Sequence, residues 1–368
     1  MIAPRRPTRQ LLLGGLAIGG DAPIRVQTMT KTDTRDVAAT VSQIRAAAEL
    51  GCDLVRIAVP DRAAADALRE IRRQSPVPLV ADIHFDHRLA LAAIDAGMDG
   101  LRINPGNIGN ADCVRAVVEA ARPRRIPIRI GVNAGSLEPR ILARHGSATP
   151  EALVESALSH VAILESLDYR EIKISVKASD VERTLSAYRL LADRTSYPLH
   201  LGVTEAGTRF AGTVRSCAAL GVLLHEGIGD TIRISLTADP VEEVRVGIEL
   251  LRAFGLRPPG AAVTSCPTCG RTQVDVAGVA QEVERRLELF YREHPTAPRP
   301  HVAVMGCVVN GPGEAREADV ALAGGAGIFR LYVRGELAAT VQEAEAVDRV
   351  VALAIDWGTH GAGSTANG

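Results

Sequence analysis

The stretch of sequence that decides the fold is residues 78–97, PLVADIHFDHRLALAAIDAG. It begins as a short apolar run of the strand type and continues, over 87–97, with apolar side chains at helical spacing that end at a glycine. The same unit recurs, with strands predicted at 23–28, 53–59, 78–84, 100–103, 127–132, 171–176, 198–203 and 231–235. Helices are predicted near 36–50, 63–74, 87–97, 109–121, 150–167, 180–194, 207–225 and 239–254.

This alternation predicts an α/β fold with an N-terminal (β/α)8 TIM barrel. Apolar strands between helices indicate a parallel sheet covered on both faces. Eight repeats in about 230 residues fit a closed barrel better than an open doubly wound sheet. The open sheet remains the alternative, although no Gly-x-Gly-x-x-Gly motif follows the first strand.

Composition changes after the barrel, which we expect to span residues 1–256. The sequence Arg257-Pro258-Pro259-Gly260 is a stiff linker, and 261–357 predict a second, smaller α/β domain. Its strands are predicted at 302–305 and 328–333, and its helices at 274–293 and near 337–355. The glycine- and serine-rich end, 358–368, is predicted to be a disordered tail.

The amino end and the overall composition exclude several classes of protein. Residues 11–20, LLLGGLAIGG, carry too many glycines for a signal-peptide helix and predict a β-hairpin instead. A formal charge of −1 and 3% aromatic residues argue against a nucleic-acid-binding protein. No apolar run is long enough to span a membrane. Six cysteines in 368 residues do not form a disulfide framework, so we expect reduced thiols and a cytoplasmic protein.

Polar residues stand at nearly every strand end of the predicted barrel, which is where barrel enzymes place their active sites. Four arginines lie inside strand sequence, and an unpaired buried arginine is costly. Internal salt bridges are one explanation; the other is a ligand with several negative charges, most simply a diphosphate, because the cations outnumber the carboxylates. The candidate binding residues are Arg56, Asp82, His84, Arg102, Asn104, Arg129, Asn133, Lys177, Arg233 and Ser235.

Three weaker signals accompany these residues. Residues 82–87, DIHFDH, resemble a metal site, although a strand end and a turn converge poorly. The turn 104–109, NPGNIG, precedes a helix and could aim backbone N–H groups at an anion. Lys177 and Glu205 are candidate acid and base groups.

The cysteines point to a metal cofactor in the second domain. Cys266 and Cys269 form a Cys-x-x-Cys pair, and Cys307 is a third soft ligand, with Glu314 shortly after it. Three thiolates suit a 4Fe–4S cluster whose fourth iron has a replaceable oxygen ligand. A zinc site completed by His294 or His301, and a redox-active cysteine pair, remain alternatives.

The chain resembles the family of 4-hydroxy-3-methylbut-2-en-1-yl diphosphate synthases, in the bacterial two-domain form, over residues 8–355. In the barrel the resemblance is carried by 23–30 (PIRVQTMT), 81–86 (ADIHFD), 101–109 (LRINPGNIG), 131–138 (GVNAGSLE), 173–177 (KISVK) and 202–207 (GVTEAG). In the second domain it is carried by 266–272 (CPTCGRT) and 305–314 (MGCVVNGPGE).

The resemblance implies an iron–sulfur oxidoreductase of isoprenoid precursor biosynthesis. Such enzymes convert 2-C-methyl-D-erythritol 2,4-cyclodiphosphate into (E)-4-hydroxy-3-methylbut-2-enyl diphosphate by two-electron reductive ring opening with loss of water. The cluster ligands would be Cys266, Cys269, Cys307 and Glu314, with Glu205 a candidate proton donor. Flavodoxin or ferredoxin would supply electrons, and the protein would be a homodimer with its active site between subunits.

Two other classes remain open at the level of sequence. One is a non-redox barrel lyase or transferase acting on a phosphorylated or pterin-like substrate, with a structural zinc domain. The other is a non-catalytic redox sensor that docks a partner through the cluster domain.

Overall fold

The computed structural model describes residues 2–307, 313 and 316–360, with side chains described as far as Trp357. The chain divides into two compact units, Met1–Arg257 and Pro258–Gly368. Among the described residues, no helix combines the length and apolar character needed to cross a lipid bilayer.

The first unit is a parallel eight-stranded barrel, as predicted. Its strands are β3 (Arg25–Met29), β4 (Leu54–Ala58), β5 (Leu79–Asp82), β6 (Gly100–Ile103), β7 (Ile128–Asn133), β8 (Ile172–Lys177), β9 (His200–Leu201) and β10 (Thr231–Ile232). The sheet order is β8-β7-β6-β5-β4-β3-β10-β9, and a parallel bridge between Ile174 and Leu199 closes it. The open doubly wound alternative is therefore wrong.

Helices alternate with these strands and cover the barrel. They are α1 (Val37–Glu49), α2 (Arg62–Gln74), α3 (His87–Asp95), α4 (Ala111–Ala121), α5 (Pro139–His145), α6 (Pro150–Ser166), α7 (Val181–Arg194), α8 (Arg209–His225) and α9 (Pro240–Ala253). Side chains cap the starts of two of these helices: that of Asp36 accepts from Ala39 N at α1 and that of Thr149 from Ala152 N at α6. Helix α5 was not predicted.

The predicted hairpin is confirmed and closes one end of the barrel. Strands β1 (Leu11–Leu13) and β2 (Leu16–Ile18) pair antiparallel across Gly14 and Gly15. Leu13 and Ile18 are buried against Leu54 and Val80, which lie in the first residues of β4 and β5. The hairpin therefore fills the amino-terminal end of the barrel and leaves the carboxyl ends for a site.

The described residues of the second unit include a five-stranded sheet and two 18-residue helices. Its strands, in sheet order, are β11 (Val263–Ser265), β12 (Val302–Met305), β13 (Val320–Gly325), β14 (Ile328–Val333) and β15 (Glu336–Gln342). Strands β11, β12 and β13 are parallel, whereas β14 and β15 return as antiparallel hairpins. Helices α10 (Val276–Glu293) and α11 (Glu343–His360) contribute to its apolar core.

The predicted end of the second unit needs correction. A helix was expected near 337–355, but 336–342 form strand β15 and the helix begins at Glu343. Arg334 and Gly335 have φ angles of 51° and 79°, which turn the chain back so that β15 pairs with β14. Helix α11 also continues to His360, past the predicted start of the tail, and 361–368 lie outside the described residues.

Candidate active site at the barrel mouth

A cavity of about 130 Å³ lies at the carboxyl ends of the barrel strands. All of the predicted binding residues except Asn104 line it, together with one residue that was not predicted. The lining consists of Arg56, Asp82, His84, Arg102, Arg129, Asn133, Lys177, Thr204, Arg233 and Ser235.

Strand register explains why these side chains meet. Arg102 lies opposite Asp82 on one neighbouring strand and opposite Arg129 on the other, and Arg129 lies opposite Lys173. Paired residues of a parallel sheet point to the same face, so this row faces the barrel interior. The alternate residues, such as Val55 and Ile57, are buried in the hydrophobic core.

Asp82 is the one carboxylate among the described lining residues, and cations surround it. Its Oδ1 accepts from Arg102 Nη1 at 3.2 Å, while its Oδ2 lies 3.6 Å from Arg56 Nε. Burial alone would raise the pKa of Asp82, but Arg56, His84 and Arg102 outweigh burial and lower it. Asp82 is therefore ionised throughout the physiological pH range.

His84 lies against the guanidinium of Arg102. Arg102 Nη1 is 2.7 Å from His84 Nε2 and 3.1 Å from His84 Nδ1. The second amino group of Arg102 donates to the carbonyl of Gly131 at 2.9 Å. Arg102 is thus fixed by three elements of the barrel.

The remaining cations are buried with fewer partners. Arg129 donates to Ser175 Oγ, and its Nε has no partner within the described residues. Burial lowers the pKa of Arg129 well below its usual range, and the charges of Arg56 and Arg102 lower it further. Burial likewise lowers the pKa of Lys177, with Arg129 and Arg233 adding to the effect. This concentration of positive charge favours an anionic ligand.

Arg233 is paired with a carboxylate behind the cavity wall. Its Nη2 lies 3.4 Å from both oxygens of Glu243, which is 1% exposed on helix α9. The same carboxylate accepts from Thr28 Oγ1 at 2.8 Å and from Leu236 N at 3.1 Å. Glu243 therefore links Arg233 to β3 and to the segment after β10. The sequence analysis did not predict this role.

Two predicted residues lie elsewhere. Asn104 is not among the lining residues; its Oδ1 accepts from Gly131 N at 2.9 Å and so joins β6 to β7. Glu205 is exposed, in the loop after β9, with a φ of 51°. Such a backbone is strained for a non-glycine residue and is concentrated at functional sites.

The lining residue that sequence reasoning missed is Thr204. It stands next to Glu205 in the GVTEAG motif, three residues after the end of β9. Thr204 is uncharged, so it does not stand out in the sequence as the buried arginines do. Its position after a barrel strand was the one feature that could have predicted it as a lining residue.

The metal site considered at 82–87 does not form. Asp82 is engaged with arginines, whereas Asp86 accepts from Arg88 N and caps helix α3. Within the described residues, no group of three or more His, Cys, Asp or Glu side chains is arranged to hold a metal ion.

The three predicted cysteine ligands follow two adjacent strands of the second unit. Cys266 comes directly after β11, where its N–H donates to Val304 O of β12 at 3.0 Å, and Cys307 comes two residues after β12 ends. The turn holding Cys269 is closed by Thr272, whose N donates to Cys269 O at 2.9 Å. A Cβ placed on Gly306 would lie 2.9 Å from Thr272 Cγ2, so this turn packs directly against the residue before Cys307.

The chemistry of these thiols suits an iron–sulfur cluster, and all three follow the carboxyl ends of neighbouring parallel strands. Within the described residues the three thiols are not gathered into a metal-binding group. The remaining predicted ligand, Glu314, lies outside the described residues.

The histidines of the zinc alternative lie away from these cysteines. His301 precedes β12, so a four-residue strand, roughly 13 Å long, separates it from the cysteine end. The start of helix α10 lies beside the cysteine end of the sheet, because Val276 Cγ2 is 2.8 Å from a Cβ placed on Gly306. His294 follows the other end of this 18-residue helix, roughly 27 Å away.

Fold and cavity together define a class: a (β/α)8-barrel protein with a cation-rich site at its strand ends and a cysteine-bearing second domain. The chain matches the family models described as "GcpE TIM-barrel domain" over residues 8–248 and "GcpE protein C-terminal domain" over 262–356. The chain belongs to the GcpE family.

Curated relatives cover nearly the whole chain. A 4-hydroxy-3-methylbut-2-en-1-yl diphosphate synthase (flavodoxin) of Geobacter sulfurreducens is 59% identical over 94% of this chain and 96% of its own length. The enzyme of the same name from Clostridium perfringens is 53% identical over 95% of this chain and 98% of its own. The family resemblance predicted from the motifs is confirmed.

Among solved structures, a dihydropteroate synthase from Stenotrophomonas maltophilia covers 67% of this chain and 97% of its own, with a TM-score of 0.50 and 14% identity. At this identity the likeness shows the barrel fold alone.

Proposed function

We propose that this protein is an iron–sulfur oxidoreductase that converts 2-C-methyl-D-erythritol 2,4-cyclodiphosphate into (E)-4-hydroxy-3-methylbut-2-enyl diphosphate. Two electrons and two protons open the ring, and one water is released. The observation that carries the proposal is the cavity in which Arg56, Arg102, Arg129, Lys177 and Arg233 face a single lining carboxylate, Asp82. Relatives that share more than half of the sequence bear the name of this synthase.

The barrel residues would bind and orient the diphosphate. Guanidinium groups match phosphate oxygens bidentately, and those of Arg102 and Arg233 are already fixed by neighbouring protein groups. Burial of the site strengthens these contacts because the local dielectric is low. Asn133, Ser235 and Thr204 add uncharged polar groups to the lining.

Glu205 is our candidate for delivering a proton. It is exposed beside the lining residue Thr204, in a backbone conformation that costs free energy. A carboxyl group at this position can take a proton from solvent and pass it to a ligand above the cavity.

Cys266, Cys269, Cys307 and Glu314 would hold one 4Fe–4S cluster. When bound, that cluster supplies the electrons for the reduction. The names of the relatives favour flavodoxin as the electron donor. A homodimer with the active site between subunits remains our expectation from the family.

Metal analysis and turnover test the proposal together. Anaerobically purified protein should contain about four iron and four sulfide per chain and should reduce the cyclic diphosphate with reduced flavodoxin. C266S should lose both the cluster and turnover, whereas the control C217S, on helix α8, should keep both. Zinc in place of iron, or an iron–sulfur protein without turnover, would contradict the proposal.

A further inference from the structure

Behind the cavity, Lys177 contacts a buried histidine that does not line it. Lys177 Nζ lies 3.4 Å from His200 Nε2, and within the described residues this is the one hydrogen bond of that ammonium group. His200 Nδ1 lies 2.8 Å from Thr231 Oγ1 on the adjacent strand β10. His200 and Thr231 are both completely buried.

The surroundings of Lys177 are otherwise cationic. Its ammonium feels the charges of Arg129 on β7, Arg56 on β4 and Arg102 on β6, together with that of Arg233 directly after β10. Lys173 is a further buried cation near His200. None of these cations can accept a hydrogen bond from an ammonium. Among the described residues, His200 Nε2 is the acceptor within hydrogen-bond distance of Lys177 Nζ.

A glycine leaves the space in which Lys177 Nζ sits. A Cβ placed on Gly202 would lie 2.5 Å from Lys177 Nζ and 2.9 Å from Arg233 O. The end of the lysine side chain is therefore confined between β9 and the cavity, with His200 at its back.

The chemistry of the histidine fits this role. Burial lowers the pKa of His200 well below its usual range, and Lys177 and Arg129 lower it further, so the imidazole is neutral. If Nδ1 carries the proton and donates it to Thr231 Oγ1, Nε2 is left with the lone pair that Lys177 needs.

We propose that His200 is a positioning residue for Lys177: its Nε2 accepts one ammonium hydrogen, directing the others to the anion in the cavity, while Thr231 fixes the imidazole tautomer. The inference rests on the proposed function in that the anion is a diphosphate. His200 does not touch the ligand and acts through Lys177.

Binding of inorganic diphosphate tests the proposal through a double-mutant cycle. H200F removes the acceptor at similar volume and should raise the Kd about tenfold, whereas H200Q, which restores an acceptor, should come within about threefold of the wild type. In a K177M background, adding H200F should change the Kd by less than about twofold. An equal effect of H200F with and without Lys177 would overturn the proposal.

A change in pH dependence separates positioning from packing. Losing the acceptor disfavours the ammonium form, so diphosphate affinity should fall at a lower pH in H200F than in the wild type. T231V, which leaves His200 in place, should shift the profile in the same direction by less. Unchanged profiles in both variants would contradict the inference.

A third measurement needs no diphosphate and so distinguishes failure of this inference from failure of the proposed function. In protein labelled with 15N-histidine, the resonances lost in H200Q identify His200. They should show a protonated Nδ1 and an unprotonated Nε2. A protonated Nε2 would overturn the inference even if diphosphate binds, and the expected tautomer would support it even if another anion is the ligand.

Discussion

At the scale of single residues, the interior of this barrel is unusually polar. Barrel interiors are ordinarily packed with branched apolar side chains. Here Gln27, Lys173, His200 and Thr231 are all buried, and neither Lys173 Nζ nor the Gln27 amide has a partner within the described residues. Burying these polar groups lowers the free energy of unfolding. We attribute their presence to the neighbouring candidate site at the barrel mouth.

Lys173 provides a measurable case. Burial lowers its pKa to about 7, with Arg129 adding to the effect. Between that value and the lysine pKa of the unfolded chain, the unfolded state binds more protons, so the free energy of unfolding rises with pH. Below pH 7 both states are protonated and the full cost remains.

K173M should therefore raise the Tm by at least about 2 °C at pH 7, and the difference from the wild type should shrink as pH approaches 10. Thermal unfolding followed by circular dichroism over this range measures both effects. R69M, at an exposed cation of helix α2 that pairs with the exposed Asp95, is the comparison and should not show this narrowing. A Tm difference independent of pH would mean that burial does not lower the pKa of Lys173 and that the lysine stays charged in the folded protein.

At the scale of elements, strands carry the binding groups and neighbouring backbone makes room for them. Arg102 fills the space beside Gly131, where a Cβ would lie 2.6 Å from its Nε. The Arg102 guanidinium also donates to the Gly131 carbonyl. Because Gly131 has no side chain, strand β7 leaves the space that the Arg102 guanidinium occupies.

G131A should displace the Arg102 guanidinium and weaken diphosphate binding about tenfold or more, since the contacts to Asp82 and His84 depend on its position. Calorimetric titration with diphosphate measures the loss. G135A is the matched control, because a Cβ on Gly135 meets nothing within 4 Å. Equal affinities of the two variants would show that Arg102 does not need this space.

Helix α9 contributes through Glu243. E243Q should lower the free energy of unfolding by about 3 kcal/mol, because it leaves the buried Arg233 without its anion. Its neighbour Glu242 pairs with Arg209 and Arg245 at the surface, so E242Q should cost below about 1 kcal/mol. Urea unfolding measures the free energy of unfolding of both variants. Similar losses in E243Q and E242Q would show that the buried contacts of Glu243 do not account for the stabilisation.

The barrel was predictable because its pattern repeats and each apolar run is bounded by helix signals. The lining residues were predictable for the same reason, since arginines such as Arg56 and Arg102 interrupt apolar strands. The placement of Asn104 outside the lining and of Thr204 within it was not predictable. Strand register and the path of the loops, rather than the local sequence pattern, decide which polar group reaches the cavity. Strand β15 was missed because its turn depends on a left-handed Arg334.

At the scale of the whole molecule, charge is arranged locally. The chain has a formal charge of −1, yet the described lining of the cavity holds five cations and one carboxylate. The proposed attraction of a diphosphate would therefore come from the local electrostatic field of the barrel mouth and not from the net charge of the chain. The second unit places its thiols at one end of its own sheet, as the first places its arginines.

The hairpin of β1 and β2 has a kinetic consequence. Because Leu13 and Ile18 pack into the amino-terminal end of the described barrel, we expect reactant and product to enter and leave the cavity at the carboxyl ends of the strands. Under the proposed function both species are diphosphates that would bind the same cations, so (E)-4-hydroxy-3-methylbut-2-enyl diphosphate should compete with its precursor. Initial rates at increasing product should show an apparent KM that rises while kcat stays constant; a falling kcat would mean that product occupies the enzyme together with substrate. Accumulating product would then slow its own formation by occupying the site that the substrate needs.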